Sequence, residues 1–198
     1  MAVKVTLPPP PTDLPTRKLP LATVKGSLYR IHRTAHHWRY FGKNATERFD
    51  DPLKRYGVLY VSAQPEAAFA EVFLRRLSLM VIDEVDLRAR SLSAFAAKSL
   101  RCVDLTGSGL RKLSCDNRIS TEKPYTTVGL WSRALYTHPQ QPDGIIYRSR
   151  HNPRFRCLAL FARCAAKLSA GASEELMGVT RRAWTCDQLV RYDLSVVL

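Results

Sequence analysis

The chain has 198 residues, of which 45% are hydrophobic and 24% are charged. This composition excludes collagen-like and coiled-coil fibres, and the length suits a single domain with a real core. No apolar run approaches the ~18 residues that a transmembrane helix needs, and no charged segment followed by an apolar one opens the chain. The five cysteines are widely spaced and form no CxxC pair, which argues against a disulfide framework or a zinc ribbon. We therefore expect a cytoplasmic protein with no membrane partner.

The chain is strongly basic. Its 31 lysines and arginines stand against 17 acidic residues, for a net charge of +14. Such a charge indicates an anionic partner, which could be a nucleic acid, a membrane surface, a phosphorylated small molecule or an acidic protein. Because the basic residues are scattered rather than gathered in one block, the charge alone does not choose between them.

A proline-rich arm precedes the main body. Residues 1–20 contain six of the twelve prolines, including the run from Pro8 to Pro11. Proline fixes φ and lacks an N–H, so this stretch cannot form a helix interior or a central strand. We expect an extended N-terminal arm over residues 1–25, packed on the body or on a partner, and one domain over residues 26–198.

From Gly26 onward, strands and helices alternate without a regular βαβ period. Pro65 is typical of a first helical position, and apolar residues then recur at helical spacing up to Leu74. Another helix is predicted from about Pro124 to Tyr136, and a short one from Leu110. The remaining patterns predict strands at 27–31, 58–61, 80–87, 102–105, 144–147, 157–161 and 189–198. This mixture predicts an α+β fold with a mixed central sheet and flanking helices.

A search for known catalytic motifs is largely negative. No dinucleotide-binding GxGxxG, phosphate-binding P-loop or GxSxG nucleophile elbow is present. His32, His36 and His37 have neither the glutamate nor the third ligand of a metal site, so we interpret them as unlinked surface histidines. The acidic run Asp83-Glu84-Asp86 lies on a predicted strand, and a solvent-exposed strand edge explains it as well as a metal site does. We expect no metal.

A few polar residues at the ends of predicted elements remain. Glu71 lies four residues before Arg75, so a surface ion pair on the helix explains it without any function. Arg30 ends a strand and could equally be a surface cation. Composition alone does not distinguish these residues, which are Arg30, Arg48, Tyr60, Glu71 and Ser149.

Taken together, these segments resemble the RES domain, the toxin half of a bacterial toxin–antitoxin pair, named for its Arg, Glu and Ser. The order and spacing of the motifs hold from about residue 28 to residue 162. Each motif is weak alone, but seven in the right order are fairly specific. The matching segments are 28–31 (LYRI), 48–52 (RFDDP), 56–62 (YGVLYVS), 66–72 (EAAFAEV), 104–107 (DLTG), 131–136 (WSRALY) and 143–150 (DGIIYRSR).

The resemblance implies a fold like that of ADP-ribosyltransferases and an activity on NAD, either degradation of NAD or ADP-ribosylation of a protein. It also implies a cognate Xre-type helix-turn-helix antitoxin that covers the active site. If the basic surface of the chain serves this antitoxin, the antitoxin should be acidic where it touches the toxin. The toxin could also form a homodimer within that complex. Family members often have glycines just before the second arginine, whereas this chain has Glu47 there.

Carried over by position, Arg30 and Arg48 bind the pyrophosphate of NAD, which suits the bidentate guanidinium fork. Tyr60 lines the pocket and offers a stacking face. Glu71 stabilises the oxocarbenium-like ribosyl group that develops when nicotinamide leaves. Ser149 hydrogen-bonds the ribose or the nicotinamide amide.

The acceptor of the ADP-ribosyl group is open between phosphate, water and a protein. Arg148, Arg150 and His151 flank Ser149, and such a cluster would concentrate phosphate, so we expect phosphorolysis. Arg148 and Arg150 could instead point to solvent or to the antitoxin. The competing classes are a non-catalytic nucleic-acid-binding module, suggested by Trp38-Arg39-Tyr40 and Tyr147-Arg148 next to the high charge, and an RNase toxin.

Overall fold

Strands and helices alternate irregularly through the residues that the computed structural model describes, 6–75 and 80–197. The strands are β1 (Leu21–Arg33), β2 (Val58–Ser62), β3 (Val81–Asp83), β4 (Arg90–Asp104), β5 (Gly144–Arg148), β6 (Arg156–Phe161), β7 (Leu168–Ser169), β8 (Ser173–Glu175) and β9 (Ser195–Val197). The helices are α1 (Pro65–Phe73), α2 (Glu84–Arg88), α3 (Ser108–Lys112), α4 (Arg118–Thr121), α5 (Thr126–Tyr136) and α6 (Arg182–Arg191). Short 3₁₀ turns occupy Leu14–Thr16 and Ala162–Lys167.

The central sheet closes on itself. β1 pairs with β4 in antiparallel fashion from Leu21 opposite Val103 to Arg33 opposite Arg90. β1 also pairs with β2, which continues through β6 and β5 back to β4 and completes a ring of five strands. The β4–β5 pair is parallel and the others in the ring are antiparallel, so the predicted α+β class with a mixed central sheet and flanking helices is confirmed. Gly26, at φ +93°, lies where the β1–β4 register shifts by one residue, with the extra residue on β4.

The predicted first helix and the hairpin near residue 150 are confirmed. α1 begins at Pro65, and its apolar side packs against β1 and β2, with Ala67 and Phe69 fully buried. β5 and β6 form an antiparallel hairpin through the basic loop 149–155. These elements form as predicted because their signals are local: a proline at the helix start and short apolar runs that end in turn residues.

Two predicted strands are wrong in part. The strand predicted over residues 80–87 ends at Asp83, whose Oδ1 accepts from the N–H of Val85 and caps α2. The tail predicted as a strand over 189–198 begins inside α6, and only Ser195–Val197 is extended, while Leu198 lies outside the described residues. In addition, the short strand predicted at 102–105 is the end of the 15-residue β4.

The N-terminal arm lies on the body of the protein. Leu7, Leu14 and Leu19 are almost completely buried in the same hydrophobic core as Trp131 of α5. The indole N–H of Trp131 also donates to the carbonyl of Pro8, at 2.8 Å. β1 begins at Leu21, so the end of the segment predicted as an arm belongs to the sheet; residues 1–5 lie outside the described part. None of the helices in the described residues is long and apolar enough to cross a bilayer.

Candidate active site

A cavity of about 460 Å³ opens between β1, β2, α1 and the loop of residues 40–50. Four of the five predicted site residues line it: Arg30 on β1, Arg48 on the loop, Tyr60 on β2 and Glu71 on α1. The fold therefore gathers side chains that are up to 41 positions apart in the sequence, from 30 to 71. The cavity is large enough for a drug-sized or nucleotide-sized ligand.

The side chain of Glu71, on α1, is held by Ser149, the residue that directly follows β5. The hydroxyl of Ser149 donates to Oε1 of Glu71 at 2.6 Å. Burial raises the pKa of Glu71, while the bond from Ser149 and the nearby guanidinium groups of Arg75 and Arg48 oppose that rise. The simple surface ion pair with Arg75 is not formed: Arg75 Nε donates to the backbone carbonyl of Glu71, and its NH1 binds Glu47 at 2.7 Å.

Ser149 is 1% exposed and is not among the residues that line the cavity. Its oxygen accepts hydrogen bonds from the backbone N–H groups of His151 and Asn152, at 3.2 and 3.1 Å, while its O–H donates a hydrogen bond to Glu71. The expected contact between Ser149 and the ribose or the nicotinamide amide therefore has no support in this geometry. The serine instead fixes the Glu71 carboxylate in one position.

Arg48 joins two walls of the cavity. Its side chain is 8% exposed, and NH1 donates to the carbonyl of Glu122 at 3.0 Å. The guanidinium carbon lies 4.8 Å from the centre of the Tyr125 ring, in cation–π geometry. Burial lowers the pKa of Arg48. Glu47, the departure from the family pattern, is paired with Arg75 rather than with Arg48.

Tyr60 braces the loop that carries Arg48. Its hydroxyl donates to Asp50 Oδ1 and accepts from the N–H of Phe49, both at 2.9 Å. The other oxygen of Asp50 accepts from the N–H groups of Thr46 and Glu47. Burial raises the pKa of Tyr60 well above its ordinary value. The ring of Tyr60 lines the cavity as predicted, but its hydroxyl is committed to the loop.

Arg30 also organises a loop. Its NH1 donates to the carbonyls of Trp38 and Tyr40, each at 2.9 Å, which brings the Tyr40 side chain to the cavity. Burial lowers the pKa of Arg30 to about 10. Arg30 is therefore a half-buried residue that holds a loop and lines the cavity, not the fully solvated surface cation that its position at a strand end also allowed.

The charged groups around the cavity are mostly positive. The predicted cation cluster next to Ser149 is smaller than expected, because Arg148 turns away and donates to the carbonyls of Pro153 and Arg154, each at 3.3 Å. Burial and neighbouring cations lower the pKa of His151 to about 4, so its ring is neutral near pH 7. The cations that line the cavity are Arg30, Arg48, Arg75, Lys123 and Arg150, and the carboxylates are Glu47, Asp50 and Glu71.

Sequence reasoning missed Lys123 and Tyr125, and it treated Arg75 only as a pairing partner for Glu71. Arg75 could have been found, since it follows Glu71 by one helical turn on the same face. Lys123 and Tyr125 precede α5 in a segment with no recognisable motif, and only the fold brings them to the cavity. No local signal in the sequence indicates them.

The histidine prediction is partly wrong. His36 and His37 are exposed, but His32 is 8% exposed and its Nε2 lies 2.7 Å from the hydroxyl of Ser93 on the neighbouring strand. Its neighbour Ile31, on the opposite face of β1, is also buried, so this part of the strand is covered on both faces. Within residues 6–75 and 80–197, no three His, Cys, Asp or Glu side chains lie close enough together to hold a metal ion.

These features define a mixed α/β domain with a cation-lined, nucleotide-sized cleft and a carboxylate, Glu71, that a serine holds at its wall. The family model of the RES domain matches residues 27–179. The chain therefore belongs to the RES domain family.

Two known proteins are similar to the chain. The "Probable toxin y4kH" of Sinorhizobium fredii (strain NBRC 101917 / NGR234) is 35% identical over 78 residues, which are 39% of this chain and 61% of that protein. A chain in the crystal structure of the M. tuberculosis MbcT–MbcA toxin–antitoxin complex has a similar fold, with a TM-score of 0.63 and 14% identity. That match covers 84% of this chain and 92% of the other.

Proposed function

We propose that this protein is the toxin of a toxin–antitoxin system and that it degrades NAD by cleaving the nicotinamide–ribose bond. Membership of the RES family, the name of the y4kH relative and the fold shared with the MbcT–MbcA complex support the toxin role. The observation that carries the chemistry is the Glu71 carboxylate, fixed by Ser149 at the wall of a cation-lined cavity.

The reaction suits one fixed carboxylate. When the bond from nicotinamide to the anomeric carbon breaks, the ribose develops oxocarbenium character. A carboxylate that accepts hydrogen bonds from the ribose hydroxyls stabilises this charge, and this is the role proposed for Glu71. Nicotinamide leaves as a neutral molecule, so the cleavage needs no general acid. One carboxylate in the position of Glu71 is therefore sufficient for this step.

The cations of the cavity suit the pyrophosphate of NAD. Arg48 is fixed in place by Glu122 and by the Tyr125 ring, and Arg30 is fixed by two carbonyls. A guanidinium group held in this way loses little entropy when it pairs with phosphate oxygens. The rings of Tyr60 and Tyr125 line the same cavity and offer faces to the base or the nicotinamide.

The proposed acceptor is inorganic phosphate, with water as the alternative. Arg75, Lys123 and Arg150 line the cavity and could hold a second anion near the ribose, although Arg148 does not join them. Mass spectrometry of the products, with and without phosphate, distinguishes the two acceptors. Phosphorolysis gives ADP-ribose 1″-phosphate, whereas free ADP-ribose alone in both samples would mean hydrolysis. A protein acceptor would appear as an added ADP-ribosyl mass on a protein.

We propose that the partner is an acidic helix-turn-helix antitoxin of the Xre type that covers the cavity. The charge of +14 and the mainly positive cavity favour an acidic surface. Expression of the chain alone should arrest growth and lower cellular NAD, and co-expression of the partner should prevent both. Glu71→Ala should remove the growth arrest, with Glu66→Ala on the same helix as the matched control. A chain that is harmless at high level with unchanged NAD would contradict the proposal.

The nucleic-acid-binding alternative is weakened by the packing of its aromatic residues. Trp38 lies 4.5 Å from the ring of Phe95 and packs against the core, and Tyr147 is 4% exposed. Neither ring is therefore free to stack on bases, which is the contact that a single-strand binding surface needs, and of the three aromatic residues that suggested this class only Tyr40 is exposed.

A further inference from the structure

His151 is held close to the Glu71–Ser149 pair. It lies two residues after Ser149 and lines the same cavity as Glu71. Its backbone N–H donates to the Ser149 hydroxyl at 3.2 Å, and that hydroxyl donates to Glu71 at 2.6 Å. One hydroxyl group therefore ties the backbone of the loop that carries the imidazole to the proposed catalytic carboxylate.

The imidazole of His151 is not used inside the protein. Its Nδ1 is enclosed and has no hydrogen-bond partner among residues 6–75 and 80–197. A buried polar atom without a partner is costly and is uncommon in folded proteins, and a catalytic role is one of its recognised causes. The two buried histidines of the described residues are different, because both ring nitrogens of His32 and of His138 have partners.

The surroundings of His151 keep its ring neutral in the free protein. Burial is the main cause of its lowered pKa, and the nearby cations Arg150, Arg75, Arg48 and Lys123 add to it. A neutral imidazole can accept a proton. When an anionic ligand occupies the cavity and offsets these cations, the pKa of His151 should rise, which makes the ring a stronger base in the complex. The charged groups that line the cavity with it are Arg30, Glu47, Arg48, Asp50, Glu71, Arg75, Lys123 and Arg150.

We propose that His151 is the general base of the reaction, a role that rests on the NAD cleavage proposed above. The oxygen of the acceptor, water or the phosphate monoanion, forms a bond to the anomeric carbon. The bond from that carbon to nicotinamide breaks, and its electron pair neutralises the pyridinium nitrogen. The proton of the acceptor moves to the imidazole of His151 and then to solvent.

The test compares the full-length wild type with His151→Gln and His151→Ala, and uses His36→Gln as a matched control at an exposed site. NAD turnover is measured with the acceptor that the wild type uses. Loss of a general base should lower kcat by about 100-fold or more with a smaller change in KM. Added imidazole should restore part of the kcat of His151→Ala, in proportion to the free base. Circular dichroism and thermal unfolding report whether each variant is folded.

The pH profile gives a second readout. At saturating NAD, the wild-type kcat should fall on acidification as His151 and Glu71 take up protons. The contribution of His151 should be missing in folded His151→Gln, which keeps only the fall that protonation of Glu71 causes. Wild-type turnover and an unchanged profile in either folded variant would overturn the assignment while leaving the NAD activity in place. A wild-type protein that does not consume NAD would overturn the proposed function and the role of His151 with it.

Discussion

The Ser149 hydroxyl donates a hydrogen bond of 2.6 Å to Oε1 of Glu71, across 78 positions of sequence. The same oxygen accepts two backbone N–H groups, so Ser149 is enclosed and cannot reach a ligand without breaking this arrangement. The serine that marks the family in the sequence is thus, in this geometry, a residue that positions the carboxylate.

The pH dependence of NAD cleavage should show the raised pKa of Glu71. Burial raises this pKa, so the carboxyl takes up its proton at a higher pH than an exposed glutamate does. Because the proposed reaction needs the Glu71 carboxylate, kcat/KM should fall as the pH is lowered through the raised pKa, and above that pKa this group should cause no further change. A profile of kcat/KM from acidic to neutral pH measures this fall, which is the acidic limb of the profile. An acidic limb at the pH where an ordinary exposed glutamate titrates would count against the assignment.

Ser149→Ala should move this limb to higher pH. The hydrogen bond from Ser149 lowers the pKa of Glu71, so its removal raises that pKa further. We also expect kcat to fall by about 10-fold, since one hydrogen bond to a charged group contributes roughly 1.5–3 kcal/mol. The measurement is the pH profile of the variant next to that of the wild type. If Ser149 had only a packing role, the limb would stay in place.

Tyr60→Phe separates bracing of the loop from stacking on a ligand. The variant keeps the ring but removes the hydroxyl that joins Asp50 to the N–H of Phe49. We expect a loss of about 1–3 kcal/mol in the free energy of unfolding and a higher KM for NAD, because the loop that carries Arg48 loosens. Denaturant unfolding and steady-state kinetics check this. Wild-type stability and KM would show that only the ring of Tyr60 matters.

Glu47→Gln should strengthen the binding of NAD. Glu47 pairs with Arg75 at 2.7 Å, and both line the cavity. The pair is partly exposed, so its loss should change stability very little. Removal of the Glu47 charge leaves Arg75 free to attract the pyrophosphate of NAD. The KM for NAD should therefore fall a few-fold at low salt and become more sensitive to salt. Glu84→Gln changes the net charge equally but breaks an ion pair outside the cavity, with Arg88, and is the control. An equal effect in both variants would place the cause in the overall charge.

The elements that could be predicted from the sequence have local signals. α1 has Pro65 at its start and an apolar face at helical spacing, and β5 and β6 are short apolar runs around a polar turn. The first part of β4 could not be predicted, because serines and alanines interrupt its apolar pattern. Its strand structure depends on the long pairing with β1, a contact between distant segments.

The members of the site could be predicted only through the family resemblance, and their partners could not be predicted at all. Arg30 and Tyr60 bind loop atoms that only the folded chain brings to them. Lys123 and Tyr125 reach the cavity because the N-terminal arm and Arg48 hold their segment: the N–H of Leu7 donates to the Glu122 carboxylate, and Arg48 donates to the Glu122 carbonyl. Such relations follow from tertiary packing, for which no periodicity or motif exists in the sequence.

The most direct test of the account is the release of nicotinamide from NAD by the purified full-length protein, compared with Glu71→Gln and with Glu66→Gln as the control on the same helix. We expect the wild type and Glu66→Gln to release nicotinamide at similar rates. Loss of an electrostatic stabiliser of this kind costs about 100–1000-fold, so folded Glu71→Gln should be slower by that factor. No release by the wild type, or equal release by folded Glu71→Gln, would contradict the account.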